Sequence, residues 1–183
     1  MQNRYTGDIG DFGKLGLLRR IRKADFSIGV NWYLTPDESH NGDGRHIGYL
    51  RNEAFRDCDE QLWQVLGDIV DPDNGLIVHS AEGTRKENKF VLPVELAEYY
   101  CAGSSVIYYQ HKARRPDDFY VMQHRNLMGC GAFPGAKGLG LKFKTTSQRY
   151  YFFLMQPHHA DRIMNCVREM METEWKRHFE VVG

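Results

Sequence analysis

No apolar run in the chain approaches the ~20 residues that a bilayer-spanning helix needs, so no membrane partner is expected. The N-terminus, MQNRYTGDIGDFGK, lacks the apolar core of a secretory signal. The four cysteines, Cys58, Cys101, Cys130 and Cys166, are scattered and form no CxxC pair. That spacing argues against a zinc site or a disulfide framework and for reduced thiols in a cytoplasmic protein. Neither sign of charge predominates: 24 Lys and Arg balance 24 Asp and Glu. No global field therefore singles out a nucleic acid, and only local patches can. Repeats and low-complexity tracts are lacking too. What is there is 42% hydrophobic and 13% aromatic across 183 residues, which excludes disorder and suits one domain, 1–183, with a substantial core.

Hydrophobic periodicity predicts a helix from Lys14 to Ala24, with Leu15, Leu17, Leu18 and Ile21 inward and Arg19, Arg20, Arg22 and Lys23 outward. VNWYL (30–34) reads as a buried strand ended by Thr35-Pro36, and DESHNGDGRH as a loop. A second helix is expected over Asp59 to Leu66, and GLIVHS as a short strand. VLPVELAEYYCAG reads as a helix closed by Gly103, and SSVIYYQH as the strongest strand. Residues 112–138 read as a long mixed connection. LGLKFKT and RYYFFLMQ then form an antiparallel hairpin, and His159 to Phe179 one long helix with Ile163, Val167, Met170, Met171 and Trp175 on one side. Alternating strands and helices followed by a hairpin predict a three-layer α/β domain. Its sheet is mostly parallel, with C-terminal antiparallel strands.

Open α/β sheets bind ligands at the carboxyl ends of their strands. Three polar clusters follow apolar runs here and are candidates to meet at that edge. The first is Asp37 and Glu38 with His40, Asn41 and Asp43; the second, Asp71-Pro72-Asp73-Asn74 after only Ile69 and Val70; the third, Gln110-His111 with Arg114 and Arg115. A fourth candidate is the N-terminal stretch with Tyr5, Asp11 and Lys14, whose glycines form neither a GxGxxG after a strand nor a P-loop.

NRYTGDIGDFGK, VNWYLTPDESHNGDG, DPDNGL and YYQHKARR together resemble the signature of a bacterial protein family. More distantly, the chain resembles the adenine-N6 methyltransferases of large-subunit ribosomal RNA. Tyr5 with Gly7-Asp8-x-x-Asp11-x-x-Lys14 matches their opening Tyr and Gly-Asn-x-x-Asp-x-x-Lys pattern. The resemblance implies a shortened Rossmann-like methyltransferase fold and S-adenosylmethionine as cofactor. Thr35, Asp37, Glu38, Asn41 and Asp43 would lie on the cofactor segment, counterpart of the family's glycine-containing loop. Asp71-Pro72-Asp73-Asn74 would replace the catalytic Asp-Pro-Pro-Tyr, with Asp73-Asn74 standing where the family has Pro-Tyr. Between Cys58 and Asp71 the chain is too short for the two further strands of that fold. In this reading Asp71, Asp73, Asn74 and His111 are catalytic, and Tyr5, Asp11, Lys14, Arg114 and Arg115 contact a nucleic acid or nucleotide.

Two other readings follow from residue chemistry. Asp37, Asp71 and Asp73, with Glu38, Asp43 and Asn74, are hard oxygen ligands that suit Mg²⁺ or Mn²⁺ in a phosphodiesterase or nuclease. His111 would then serve as base or proton donor and Arg115 as phosphate holder. Alternatively, the chain is a non-catalytic nucleotide- or protein-binding module, a homodimer for instance, using exposed aromatics among Tyr99, Tyr100, Tyr108 and Tyr109.

Overall fold

The structure is a computed structural model; it describes residues 9–32, 66–71, 74–144 and 148–183, with the backbone alone for 9–11, 30–32, 66–71 and 88. In chain order the elements are α1 (Ile9–Lys23), β1 (Ile28–Trp32), β2 (Leu66–Asp71), β3 (Gly75–Leu76), β4 (Phe90–Val91), α2 (Pro93–Cys101), β5 (Val106–His111), α3 (Asp117–Gly129), β6 (Lys137–Phe143), β7 (Arg149–Met155), α4 (Pro157–Met171) and β8 (Phe179–Val182). Six strands form one sheet in the order β1-β2-β5-β7-β6-β8. The first three are parallel; β7 runs antiparallel to β5, and β6 lies antiparallel between β7 and β8. The small β3 and β4 pair separately, in parallel. The mixed α/β architecture and the C-terminal hairpin accord with the sequence expectation, but the sheet is not mostly parallel: β7 inserts antiparallel beside β5 and β8 adds a further antiparallel strand, so three of its five pairings are antiparallel. Among the described residues no helix is long and apolar enough to cross a membrane.

Strand alternation divides the core between two faces. Ile107, Tyr109, Tyr151, Phe153 and Met155 pack with Leu17, Leu18 and Ile21 of α1 and Ile163, Val167 and Met170 of α4. On the other face Val106, Tyr108, Phe152 and Leu154 meet Leu96 and Tyr100 of α2 and Tyr120 and Leu127 of α3. Helices therefore cover both sides of the sheet, as in a three-layer domain. Tyr100, Tyr108 and Tyr109 are core residues, so they offer no exposed aromatic surface for a partner.

Several local expectations are corrected. α1 begins at Ile9, a full turn before Lys14. Leu66 opens β2 instead of closing a helix, so five strand residues, ending in the apolar pair Ile69-Val70, lead up to Asp71. The strand expected in GLIVHS is two residues long, because its pairing partner β4 is equally short. Within 112–138, Asp117–Gly129 is helical: Asp117 and Asp118 occupy its first turn, where acids complement the helix dipole, and Tyr120, His124 and Leu127 form its buried stripe. The last helix stops at Met171. There the Thr173 hydroxyl donates to the Met170 carbonyl at 2.7 Å and accepts from Trp175 N–H at 3.4 Å, starting a short 3₁₀ turn, Glu174–Arg177, that leads into β8. Trp175 and Phe179 accordingly lie outside α4, and Phe179 fills the core from a strand.

Gly13 and Gly16 give the glycine-rich N-terminus a packing role. A Cβ on Gly13 would lie 2.8 Å from the Phe143 ring, and one on Gly16 would overlap Trp175. Glycine inside a helix costs about 1 kcal/mol relative to alanine, so Gly13→Ala would ordinarily stabilise. Here the Phe143 ring is fully buried and has no room to retreat. Overpacking of about 1–3 kcal/mol outweighs the propensity gain, and Gly13→Ala is expected to lower Tm by a few degrees in calorimetry. A raised Tm would refute this packing argument.

Candidate functional site at the carboxyl edge of the sheet

The three parallel strands end at one edge. Trp32, the last residue of β1, is in register with Asp71, the last residue of β2. β5 ends at His111, opposite Arg149, where antiparallel β7 begins, and Arg149 in turn faces Phe143 at the end of β6. Because Gly13 sits on Phe143, the first turns of α1 reach the same edge. Lys14 lies there, buried and engaged rather than exposed with Arg19, Arg22 and Lys23.

The second and third sequence clusters are joined by a side-chain latch. Gln110 Oε1 accepts the Leu76 N–H at 2.9 Å, while its Nε2 donates to the carbonyls of Asn74 at 3.1 Å and His111 at 3.2 Å. The His111 N–H donates to the same Asn74 carbonyl at 3.2 Å, and the Asn74 N–H to Lys89 at 2.9 Å. An amide side chain is the group that supplies donor and acceptor together, so one buried glutamine satisfies both polarities of the loop backbone. Gly75 permits this with a φ of +108° and with no side chain, since a Cβ would come within 2.8 Å of the Gln110 Cα. Asn74 to Leu76 are thus held against the end of β5.

His111 is half-buried, with Nδ1 3.4 Å from the Tyr109 hydroxyl. Desolvation, and then the positive charge of Arg149, lower its pKa below the ordinary imidazole value. It is therefore a neutral acceptor at pH 7. The Arg149 guanidinium lies 5.8 Å from the Tyr109 ring centroid. A cation beside the ring disfavours His111 as a metal ligand. Sequence inspection passes over Arg149, because only strand register brings it opposite His111.

The basic loop after β5 is anchored by Asp117. This carboxylate accepts from Lys142, from the Tyr150 hydroxyl at 2.7 Å and from Lys112 at 3.3 Å. Partial burial pushes its pKa up, but those hydrogen bonds prevail and bring it down to about 2. Ala113 N–H also donates to the Tyr120 hydroxyl at 2.7 Å. With the loop so fixed, Arg114 and Arg115 are exposed, the latter 5.4 Å from the Phe119 ring centroid. Asp117, Lys142 and Tyr150 were not candidates from sequence, since they lie on three separate elements.

Of the other predicted site residues, Asp71 and Asp11 are placed by backbone alone, at the end of β2 and in the first turn of α1. Tyr5, Thr35, Asp37, Glu38, Asn41, Asp43 and Asp73, together with residues 59–65 of the helix expected over Asp59 to Leu66, lie outside the described residues. Among the described residues no group of three or more His, Cys, Asp or Glu is placed to hold a metal ion. No family model matches the chain, and no curated protein or solved structure is detectably similar to it.

Proposed function

We propose that the chain is a methyltransferase-like protein that holds a nucleotide or nucleic-acid base at the carboxyl edge of its sheet. What supports this reading is the order of charged segments in the sequence relative to the strands that end at that edge. β1 and β2 end in register at Trp32 and Asp71, and the acid-rich segments 35–43 and 71–73 follow them in sequence. Arg149, Arg114 and Arg115 belong instead to β7 and the loop after β5. Three strand spacings separate β1 from β7, about 14 Å. An acidic side suits the sulfonium and amino groups of S-adenosylmethionine, and a basic side suits the phosphates of its substrate.

In this reading Thr35, Asp37, Glu38, Asn41 and Asp43 would hold the cofactor, which supplies an already activated methyl group. The protein's own task is orientation. Asp71 accepts a hydrogen bond from the exocyclic amine of the base, Pro72 limits its own backbone φ, and the Gln110 latch fixes Asn74 to β5. His111, neutral, is available as a hydrogen-bond acceptor. Arg114 and Arg115 contact phosphate without choosing sequence.

Calorimetry with S-adenosylmethionine, and separately with Mg²⁺ or Mn²⁺, tests the reading. Binding of the cofactor is expected, with Asp71→Ala retaining it but slowing methyl transfer about 10²- to 10³-fold, the scale of losing one transition-state hydrogen bond. Metal binding that disappears in Asp71→Ala, with no heat from the cofactor, would replace this reading by the phosphodiesterase one. Binding of neither would leave a non-catalytic binding module.

A further inference from the structure

At the opposite edge of the sheet, where β1 and β5 begin, a cavity of about 160 Å³ opens between α1, the turn before β1, the Gly103–Ser105 turn and the start of α4. Its walls are mainly apolar, with Ile21, Phe26, Ile28, Ile107 and Ile163 contributing. One wall carries a polar pair: Ser105 Oγ lies 3.0 Å from His159 Nδ1. The same oxygen accepts the Gln156 N–H at 2.9 Å, which fixes the hydroxyl in place. The ring of His159 is also held edge-on to Phe26, at 5.3 Å between centroids, and Arg162 covers the Phe26 ring at 3.7 Å. Desolvation, then the neighbouring His158 and Arg162, depress the His159 pKa, so the pair is neutral at pH 7.

We propose that this cavity is a binding site for a small uncharged molecule, one apolar ring or branched chain carrying a single hydroxyl or carbonyl that the Ser105–His159 pair receives. The volume decides the size. An enclosed apolar cavity of about 150 Å³ takes up benzene, so this one, open to solvent on one side, has room for about a single six-membered ring. The chemistry of the walls decides the class. Burying a charge among isoleucines is costly, whereas one neutral polar atom finds a partner on the polar wall. The site is separate from the candidate active edge, because Ser105 and His111 stand at opposite ends of the sheet's central strands.

Phenol and benzene are suitable probes, titrated into the full chain and followed by heteronuclear NMR. Phenol, a ligand of only seven heavy atoms, is expected to saturate with a millimolar Kd. Benzene should bind the same site, several-fold more weakly, and should displace phenol competitively. Ser105→Ala, and the milder Ser105→Cys, should shrink the preference for phenol toward none, while Ile163→Phe, which fills the cavity, should abolish binding of both. Non-saturable shifts with both probes, or absence of competition between them, would overturn the site without recourse to any variant. Equal affinity of the wild type for phenol and benzene would overturn the role given to the polar pair.

Discussion

Gly75→Ala is expected to be the most damaging small substitution near the candidate site, costing about 2–6 kcal/mol and lowering Tm by roughly 10 °C. Two independent penalties combine. At φ +108° an L-residue occupies a region that glycine alone visits cheaply, a strain of about 1–3 kcal/mol. The added methyl also meets the Gln110 side chain and, at 2.8 Å, its Cα, and the latter belongs to a central strand that has nowhere to go. Gln110 must leave, and the buried Leu76 N–H then loses its acceptor, a further ~1–3 kcal/mol. Calorimetry reads the stability, and hydrogen exchange at the Leu76 amide reads the latch. Gln110→Ala removes the latch without the strain and should cost less. Should Gly75→Ala prove no worse than Gln110→Ala, the backbone strain would have to be discarded. If the proposed function holds, both variants also release Asn74 from β5 and lower turnover along with stability.

What could be read from the sequence was governed by whether a residue's role is local. SSVIYYQH and the 137–155 hairpin announce themselves because β-branched and aromatic runs with short turns have few other fates. The convergence of Asn74 with Gln110 and His111 was also legible, as a consequence of where parallel strands end. α3 was not, because its buried stripe is Tyr120, His124 and Leu127, two of which are amphipathic residues that disguise a helical period. β8 was hidden because Trp175 and Phe179 extend the apolar spacing of α4 past its end, while Thr173 terminates it by capping. Gln110 was noticed only as a neighbour of His111; its buried, three-bonded role depends on a loop that meets it from 34 residues away. Arg149 and Asp117 owe their importance wholly to strand register and tertiary pairing, which no local pattern encodes.

Lowering the pH from about 6.5 to about 4 is expected to destabilise the fold by roughly 3 kcal/mol through His124 alone. His124 is buried between α3 and the sheet, its ring stacked on Phe152 at 4.7 Å and its Nδ1 3.0 Å from the Tyr108 hydroxyl. Its Nε2 is buried with no hydrogen-bond partner among the described residues. Desolvation of the charged form is the dominant effect; the Phe153 backbone offsets only part of it, and the pKa falls to about 4. Above pH 6.5 the ring is neutral in both folded and unfolded chains and stability does not change with pH. Between 6.5 and 4 the unfolded chain binds a proton that the folded one refuses, so stability is lost at about 1.4 kcal/mol per pH unit. Below 4 the folded ring is protonated as well and the loss levels off. His111 and His159, whose pKa values are also lowered, act in the same direction, whereas Asp117, brought down to about 2, contributes only at more acid pH. The measurement is NMR titration of the His124 ring together with urea unfolding across this range. A His124 midpoint near 6.5 would defeat the prediction outright. His124→Phe combined with Tyr108→Phe, which removes the titrating ring and the hydroxyl it would orphan, should flatten the acid limb by the same few kcal/mol while leaving the neutral-pH fold in place.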